Sequence, residues 1–493
     1  MGYGMLTRFF AVGDPDVKSN LAFRLVLAVM FGLVSVPTVH GHEKKVQDRG
    51  CTAFTHVTVV DPSSEGQQKD MTVVVCGESI RSVEGPASRR VPKGTRVVDA
   101  REKFLIPGLW DFHVHLTQAG EASGLLFLTH GVTSVRDCGS TFRVLRDWRE
   151  KVRAGTLPGP RIKGPGAVLE SQHFLEVIGK VEGMLDPDLA GTLRAAIEGR
   201  IGLANPAEAK SQVDTLKAQG ADFIKVRNAD SPEILYAIAE AAKHDGLPLA
   251  GHVIRGSDLA MASAAGQRSI EHDEDYFGSN PAPGTATQQA KLAALFVENR
   301  TALVPTIVTE RDRLASEAQM QVVLNDTAGV TDPLRRFLSP ELLSFWRMQE
   351  ALKKYDSRPE SWESRIQKGK DFVRAMHKAG VAILPGTDLG VPLLYPGASL
   401  LDELEIFVDD IGMSPREALE SATVLPAQWF GMQHELGTVA PGKLADLVLL
   451  DRDPLENIQN LRKVSGVMAN GRYYDRAKLK RLLAETAKSE GVL

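Results

Sequence analysis

Ile106-Pro107-Gly108-Leu109-Trp110-Asp111-Phe112-His113-Val114-His115-Leu116 is the stretch on which the fold turns. An apolar run ends in a His-x-His pair, and in a strand residues i and i+2 project from one face, so both imidazoles point the same way. Two neutral imidazoles placed so are good ligands for a borderline cation such as Zn2+. A His-x-His arises by chance on many surfaces; this one follows an apolar strand directly.

Outward from that stretch, apolar strand-like segments recur at 104–115, 132–137, 161–164, 222–226, 248–253, 268–272, 302–305 and 381–388. Helical stretches such as Pro232 to His244 and Ser257 to Gly266 lie between them. This alternation predicts an α/β protein with a parallel TIM-type (β/α)8 barrel. Residues Thr309 to Lys370 exceed what one connecting helix needs and are expected to form a helical insertion over the barrel mouth. Ahead of the barrel, Phe54–Val60, Met71–Cys76, Ser79–Val83 and Thr95–Val98 read as short β-branched strands. The pattern returns at Ala445–Leu450 and Val464–Tyr474, the latter turning at Asn470-Gly471. Both termini are therefore expected to build one small β-sandwich. The division expected is 1–41 as a signal peptide, 42–105 as the N-terminal part of the sandwich, 106–425 as the barrel, and 426–493 as the C-terminal part with a terminal helix.

In a barrel the C-terminal strand ends share one mouth. Lys225, His252, His272 and Asp388 stand at such ends, with His113 and His115, on the expected strands 1, 4, 5, 6 and 8. Taken singly, each is as well explained as a hydrogen-bonded core histidine, a capping aspartate or a snorkelling lysine. Their recurrence at one end of the barrel is what coincidence explains poorly. His173, just past the third strand, could reach a substrate carbonyl or carboxylate, or be an exposed loop histidine. Arg227 and Asn228 could meet an anionic part of a substrate, or be solvated surface; Asp111 reads as an orienting group or a strand-end hydrogen bonder. His130, His244, His377 and His434 fall in helical or loop contexts and are assigned no chemistry.

The chain has 493 residues, 43% hydrophobic and 24% charged, which fits a globular enzyme with one large domain and a satellite. A formal net charge of -4 gives no single-sign field to hold nucleic acid, so small-molecule partners are expected. Leu25 to Val36 is an apolar run preceded by Arg8, Lys18 and Arg24, too short to span a bilayer comfortably, and followed by Val39-His40-Gly41. It reads as a cleavable secretory signal, so the mature protein is expected to be exported, periplasmic or secreted, without stable membrane insertion; a misassigned start, with Met5 as another candidate, or an uncleaved anchor are the alternatives. Three cysteines are too few for a disulfide scaffold. Cys51 and Cys76 lie in neighbouring strands and form either one disulfide after export or two partly buried thiols, while Cys138 reads as a core residue.

Pro107-Gly108-Leu109-Trp110-Asp111-Phe112-His113-Val114-His115, Pro385-Gly386-Thr387-Asp388, Ser421 to Ala427, and Gly437 to Asp451 with Asp453-Pro454-Leu455 together make the chain resemble the amidohydrolase superfamily. Within it the likeness is to exported imidazolonepropionase-like and prolidase-like enzymes, with ochratoxin-type aryl-amide hydrolases among them. The resemblance implies that His113, His115 and Asp388 hold one divalent metal and His252 and His272 a second. Lys225, carboxylated by carbon dioxide, would bridge them, since a carbamate offers anionic oxygens where an ammonium cannot ligate. Zn2+ suits so imidazole-rich a site best, although Mn2+, Co2+ or Fe2+ accept the same ligands, and a single-metal site with Lys225 nearby is the alternative. Two dications would activate a water and polarise a carbonyl, with Asp388 as proton shuttle and His173 as a further catalytic residue. The implied activity is cleavage of the C–N bond of a small-molecule amide, whether dipeptide, N-acyl amino acid or aryl amide, by a homo-oligomer. Lactone or phosphotriester hydrolysis on the same site, and a metal-free non-catalytic barrel, are the other readings. Many relatives carry His-x-Glu-Leu after the last barrel strand, whereas this chain reads Ser399-Leu400-Leu401-Asp402-Glu403-Leu404, which weakens any transfer of substrate preference.

Overall fold

The computed structural model describes residues 50–88, 90–272, 284–352 and 362–489; the expected signal peptide at 1–41 lies outside them. Five strands come first: β1 (Cys51–Val59), β2 (Gln68–Cys76), β3 (Ser79–Glu84), β4 (Arg96–Asp99) and β5 (Phe104–Pro107). Nine follow through the middle: β6 (Leu109–Val114), β7 (Val132–Asp137), β8 (Arg161–Lys163), β9 (Val168–Ser171), β10 (Arg200–Leu203), β11 (Ile224–Val226), β12 (Leu249–Gly251), β13 (Gln267–Glu271) and β14 (Ala302–Val304). The last three are β15 (Leu447–Leu450), β16 (Val464–Ala469) and β17 (Arg472–Asp475).

The two ends of the chain meet in one sheet, ordered β17-β16-β15-β5-β1-β2-β3 with β4 on β1. It curls over itself, for Phe54 of β1 meets the ring of Tyr473 of β17 edge-on at 5.2 Å. Arg96 of β4 likewise pairs with Asp475 at 2.9 Å. Phe54, Val57, Val73, Leu105, Leu447 and Met468 fill the space enclosed. At the hairpin between β16 and β17, Asn470 and Gly471 both have positive φ, the backbone a tight two-residue turn demands. Cys51 and Cys76 face each other across β1 and β2 and are joined by a disulfide.

The sequence reads 104–115 as one strand, but it is two. β5 pairs with β15 in the small sheet, and after Gly108 the chain leaves for β6, which pairs with β7. Gly108 has no room for a side chain, because a Cβ there would fall 1.9 Å from Thr133 Oγ1.

All six residues of β6 and of β7 are buried, the mark of parallel strands covered on both faces. The parallel pairs run β6-β7-β8 and β9-β11-β12-β13-β14, with β10 outside β9. Backbone bonds join the two sets at both ends. Asp222 N donates to Gly164 O between β8 and β11, while residues 382–389 lie between β14 and β6: Leu384 N donates to Leu303 O at 2.8 Å and Phe112 N to Pro385 O at 2.9 Å. The strand order thus returns to its start. The expected insertion contains helices Ile307–Asp312, Glu317–Asn325, Pro340–Leu352 and Trp362–Lys378, and the third of these packs on residues 116–119, directly beyond His115.

The disulfide closes a loop with a sequence separation of 25. Replacing both cysteines by serine is expected to lower stability by about 3 kcal/mol through the freed unfolded chain. Calorimetric melting of the purified protein checks this, and an unchanged Tm would mean that the β1–β2 pairing is held without the bridge.

Candidate metal centre

Six residues picked from the sequence fall where the strands end. His113 lies in β6 and His115 one residue past it, Lys225 in the middle of β11, His252 and His272 each one residue past β12 and β13, and Asp388 in the segment that closes the ring. Two of these ends, and a third beside them, are bent sharply: His272, Thr306 and Asp388 all have φ between 48° and 67°, uncommon for residues other than glycine. The turn at Asp388 is made by close approach. Gly386 packs so tightly on β6 that a Cβ would lie 2.7 Å from His113 Cβ, and Thr387 N and Asp388 N both point at His113 O.

The side chains converge. Asp388 Oδ1 is 3.0 Å from His115 Nε2 and 3.5 Å from His113 Nε2, and Asp388 Oδ2 is 3.8 Å from His272 Nδ1. The His113 ring is 4.6 Å from that of His272, which is 4.7 Å from that of His252. Nitrogens of His113 and His272 and an oxygen of Asp388 lie within 4.8 Å of one another, close enough to share an ion. Among the described residues, His113 Nε2 and Lys225 Nζ are buried with no hydrogen-bond partner. Two polar atoms left so inside a barrel carry a desolvation cost that ligation would offset. The protonation states fit a cation too. Burial and the neighbouring Lys225 charge keep His113 well below its usual value, hence neutral. Burial alone would push Asp388 up, but the imidazoles of His272, His115 and His113 hold it well below the usual carboxylate range. A donor set of imidazoles, a carboxylate and an orphaned lysine thus fits one or more divalent cations.

The remaining expected residues divide. Asp111 is fully buried and orients: its carboxylate accepts from Thr387 Oγ1 at 2.7 Å, from Thr387 N at 3.1 Å and from His113 N, tying the first strand to the turn that carries Asp388. Burial pushes it up to about 7. Arg227 is half-buried, 3.1 Å from the buried Glu170 and stacked on Phe174, and Asn228 Oδ1 accepts from Ala229 N and from Arg255 N, tying the loop after β11 to the one after β12. His173 is not in the cluster. It lies exposed on the first turn of the helix Gln172–Glu182, its backbone N–H donating to Asp230.

Four residues at the site carry no role in the sequence reading. Glu271 Oε2 is 2.8 Å from His113 Nδ1, and Arg136, fully buried, reaches the same oxygen at 2.5 Å. Burial pushes Glu271 up, yet the Arg136 guanidinium holds it below its ordinary value. Thr306 Oγ1 is 3.0 Å from His272 Nδ1. Asp137 accepts from the backbone of Leu116 and Ser140, tying the loop after His115 to the one after β7. A signal for the charged pair exists, since a charged residue inside an apolar strand, as in Val132 to Asp137 and Gln267 to Glu271, faces an interior partner or is absent.

Residues 104–473 match the model of the Amidohydrolase family, which is most of the chain. The chain belongs to the amidohydrolase family. A curated imidazolonepropionase of Thermoplasma volcanium is 33% identical over 109 residues, 21% of this chain and 26% of that protein, so the alignment spans about a quarter of the relative's length. An adenine deaminase of Rubrobacter xylanophilus is 39% identical over 61 residues, 12% of this chain and 10% of that protein. Among solved structures, a bottromycin amidohydrolase superposes with a TM-score of 0.67 at 21% identity, covering 90% of this chain and 92% of that one. A Xaa-Pro dipeptidase with bound methionine gives 0.63 at 22%, covering 86% and 100%, and the A. niger ochratoxinase 0.62 at 21%, covering 86% and 96%. These likenesses fix the fold of this amidohydrolase: a TIM-type barrel with a small domain.

Within Ser399–Leu404, Leu401 stands where the His-x-Glu-Leu pattern has histidine, while Glu403 and Leu404 keep its Glu-Leu. Glu403 is buried, and its two oxygens accept from Ile307 N at 3.0 Å and Val308 N at 2.7 Å, capping the helix that opens the insertion. Burial pushes Glu403 up to about 8, against the lowering pull of those two bonds and of Arg311, with Asp111 adding to the rise. An acid raised in the folded state keeps a proton that the unfolded chain releases, so stability is full below its ordinary range and is lost as pH rises through about 8. Glu403→Gln is therefore expected to flatten the fall in Tm between about pH 5 and about pH 8. Melting curves across that range check it; an unaltered slope would mean that Glu403 is ionised in the fold.

Proposed function

We propose that this amidohydrolase is a metal-dependent enzyme that hydrolyses the C–N bond of a small amide: a dipeptide, an N-acyl amino acid or an aryl amide. The observation that carries the reading is the convergence of three imidazoles on Asp388 beside the unpartnered atoms His113 Nε2 and Lys225 Nζ. His113, His115 and Asp388 would hold one divalent cation, His252 and His272 a second, and Lys225, as its carbamate, would join them; Zn2+ suits the donors best. Such ions supply an acidified water and a polarised carbonyl.

The residues of the chain do the rest. Asp388 stands at the mouth with one oxygen shared between His115 and His113 and the other toward His272. Held ionised by those rings, it accepts the proton that water loses as the water oxygen bonds the carbonyl carbon. It then delivers that proton to the nitrogen as the C–N bond breaks, since an amine leaves poorly as an anion. His113 stays neutral and fixed; Thr387 and Asp111 keep the Asp388 turn against β6. The helix Pro340–Leu352 narrows the mouth, placing Phe345 within 3.6 Å of where a Cβ of Gly390 would stand, beside His115, and so offers an apolar wall to a substrate side group. Export is part of the proposal, and the Cys51–Cys76 disulfide supports it, because such bonds persist in oxidising compartments.

Elemental mass spectrometry of the purified mature protein is the first test. About two metals per chain, falling on Lys225→Ala, is the expected outcome; about one would replace the bridged site by a mononuclear one, and none after reconstitution would sink the enzymatic reading. Asp388→Asn is expected to lower kcat by about a hundredfold or more while KM changes little. A panel of amide, lactone and phosphotriester substrates measures this, and turnover confined to the esters would refute the amide assignment.

A further inference from the structure

Beneath the candidate metal centre the barrel interior holds a guanidinium. Arg136 is fully buried, its Cζ 4.0 Å from the Phe112 ring centroid, 5.2 Å from that of Trp429 and 5.4 Å from that of Phe223. Its Nε donates to Phe112 O at 2.5 Å, its Nη1 to Ser269 Oγ at 2.9 Å and its Nη2 to Glu271 Oε2 at 2.5 Å. Glu271 is buried as deeply, and its other oxygen accepts from Ser269 Oγ at 2.6 Å. A buried ion pair repays its desolvation only where geometry and hydrogen bonding are this complete, which fixes both groups and suits them to a positioning role.

That role is visible at His113. Two carboxylates flank its ring on opposite sides: Glu271 Oε2 lies 2.8 Å from Nδ1, and Asp388 Oδ1 lies 3.5 Å from Nε2. A neutral imidazole has one N–H, and a carboxylate only accepts. The contact at 2.8 Å is a full hydrogen bond, whereas Nε2 makes none to Asp388 at 3.5 Å, so the proton belongs on Nδ1. We propose that Arg136 and Glu271 are a positioning pair: Arg136 keeps Glu271 an acceptor, Glu271 holds the His113 proton on Nδ1, and Nε2 is thereby left as a lone pair aimed at the metal centre. Without the pair, Asp388 would compete for the same proton, and Nε2, carrying hydrogen, could not ligate. The inference rests on the metal-centre reading for its purpose but not for its test, because the tautomer exists in the metal-free chain.

The experiment is nitrogen NMR of the full mature chain labelled at histidine and freed of metal by chelation, with His113 assigned by its loss in His113→Asn. His113 is expected to show a protonated Nδ1 and an unprotonated Nε2; the opposite tautomer in the wild type would overturn the proposal without need of any variant. In Glu271→Gln the two nitrogen signals are expected to move toward the opposite tautomer, and Zn2+ affinity, titrated directly, to fall about 10- to 100-fold. A variant that melts cooperatively and keeps both the wild-type tautomer and the wild-type Zn2+ affinity would also overturn it. Should the wild type bind no Zn2+ and still show the expected tautomer, the metal reading fails and the positioning pair stands.

Discussion

The structure depends on one backbone interlock. Residues 382–389 are wedged between β14 and β6, donating from Leu384 N to Leu303 O on one side, and on the other accepting Phe112 N at Pro385 O while Asp388 N donates to His113 O. Those bonds close the strand order and, by the same stroke, bring the aspartate of the last segment against the histidines of the first. Because these are buried backbone pairs, the register cannot slip without leaving several donors unsatisfied. Gly386 is the steric counterpart, since any side chain there would strike His113. The site is therefore a consequence of closure rather than an addition to it.

Around that interlock the molecule uses buried polar groups as ties between strands. Asp111 reaches from β6 to Thr387, Arg136 from β7 to Glu271 on β13, and Glu403 from the helix Ala398–Ile406 to the helix after β14. Each is costly to bury and each is satisfied, so each fixes a geometry more sharply than an apolar contact of the same size would. The left-handed backbone at His272, Thr306 and Asp388 is strain held in place by those ties, and it clusters where the strands present their ends to the mouth.

Much of the candidate site was legible in the chain itself. His113, His115, His252, His272 and Asp388 stood out because chemistry-bearing residues followed apolar strand-like runs, and strand ends in a barrel share a mouth; the structure brings all five together. Lys225 stood out the same way, and its Nζ is buried with no hydrogen-bond partner. His173 stood out by the same proximity to a strand end, two residues past β9, and lies exposed on the first turn of the helix that follows.

By itself the sequence determined the alternation of strands and helices, the β segments at both ends and the ligand-type residues at strand ends, since periodicity and residue chemistry are local properties. Only the tertiary structure decided that 104–115 is two strands parted at Gly108, that Glu271 and Arg136 lie under His113, and that Glu403 caps a helix. Those facts depend on which distant backbone comes within hydrogen-bond reach, and contacts between residues far apart in the chain leave no periodic trace in it.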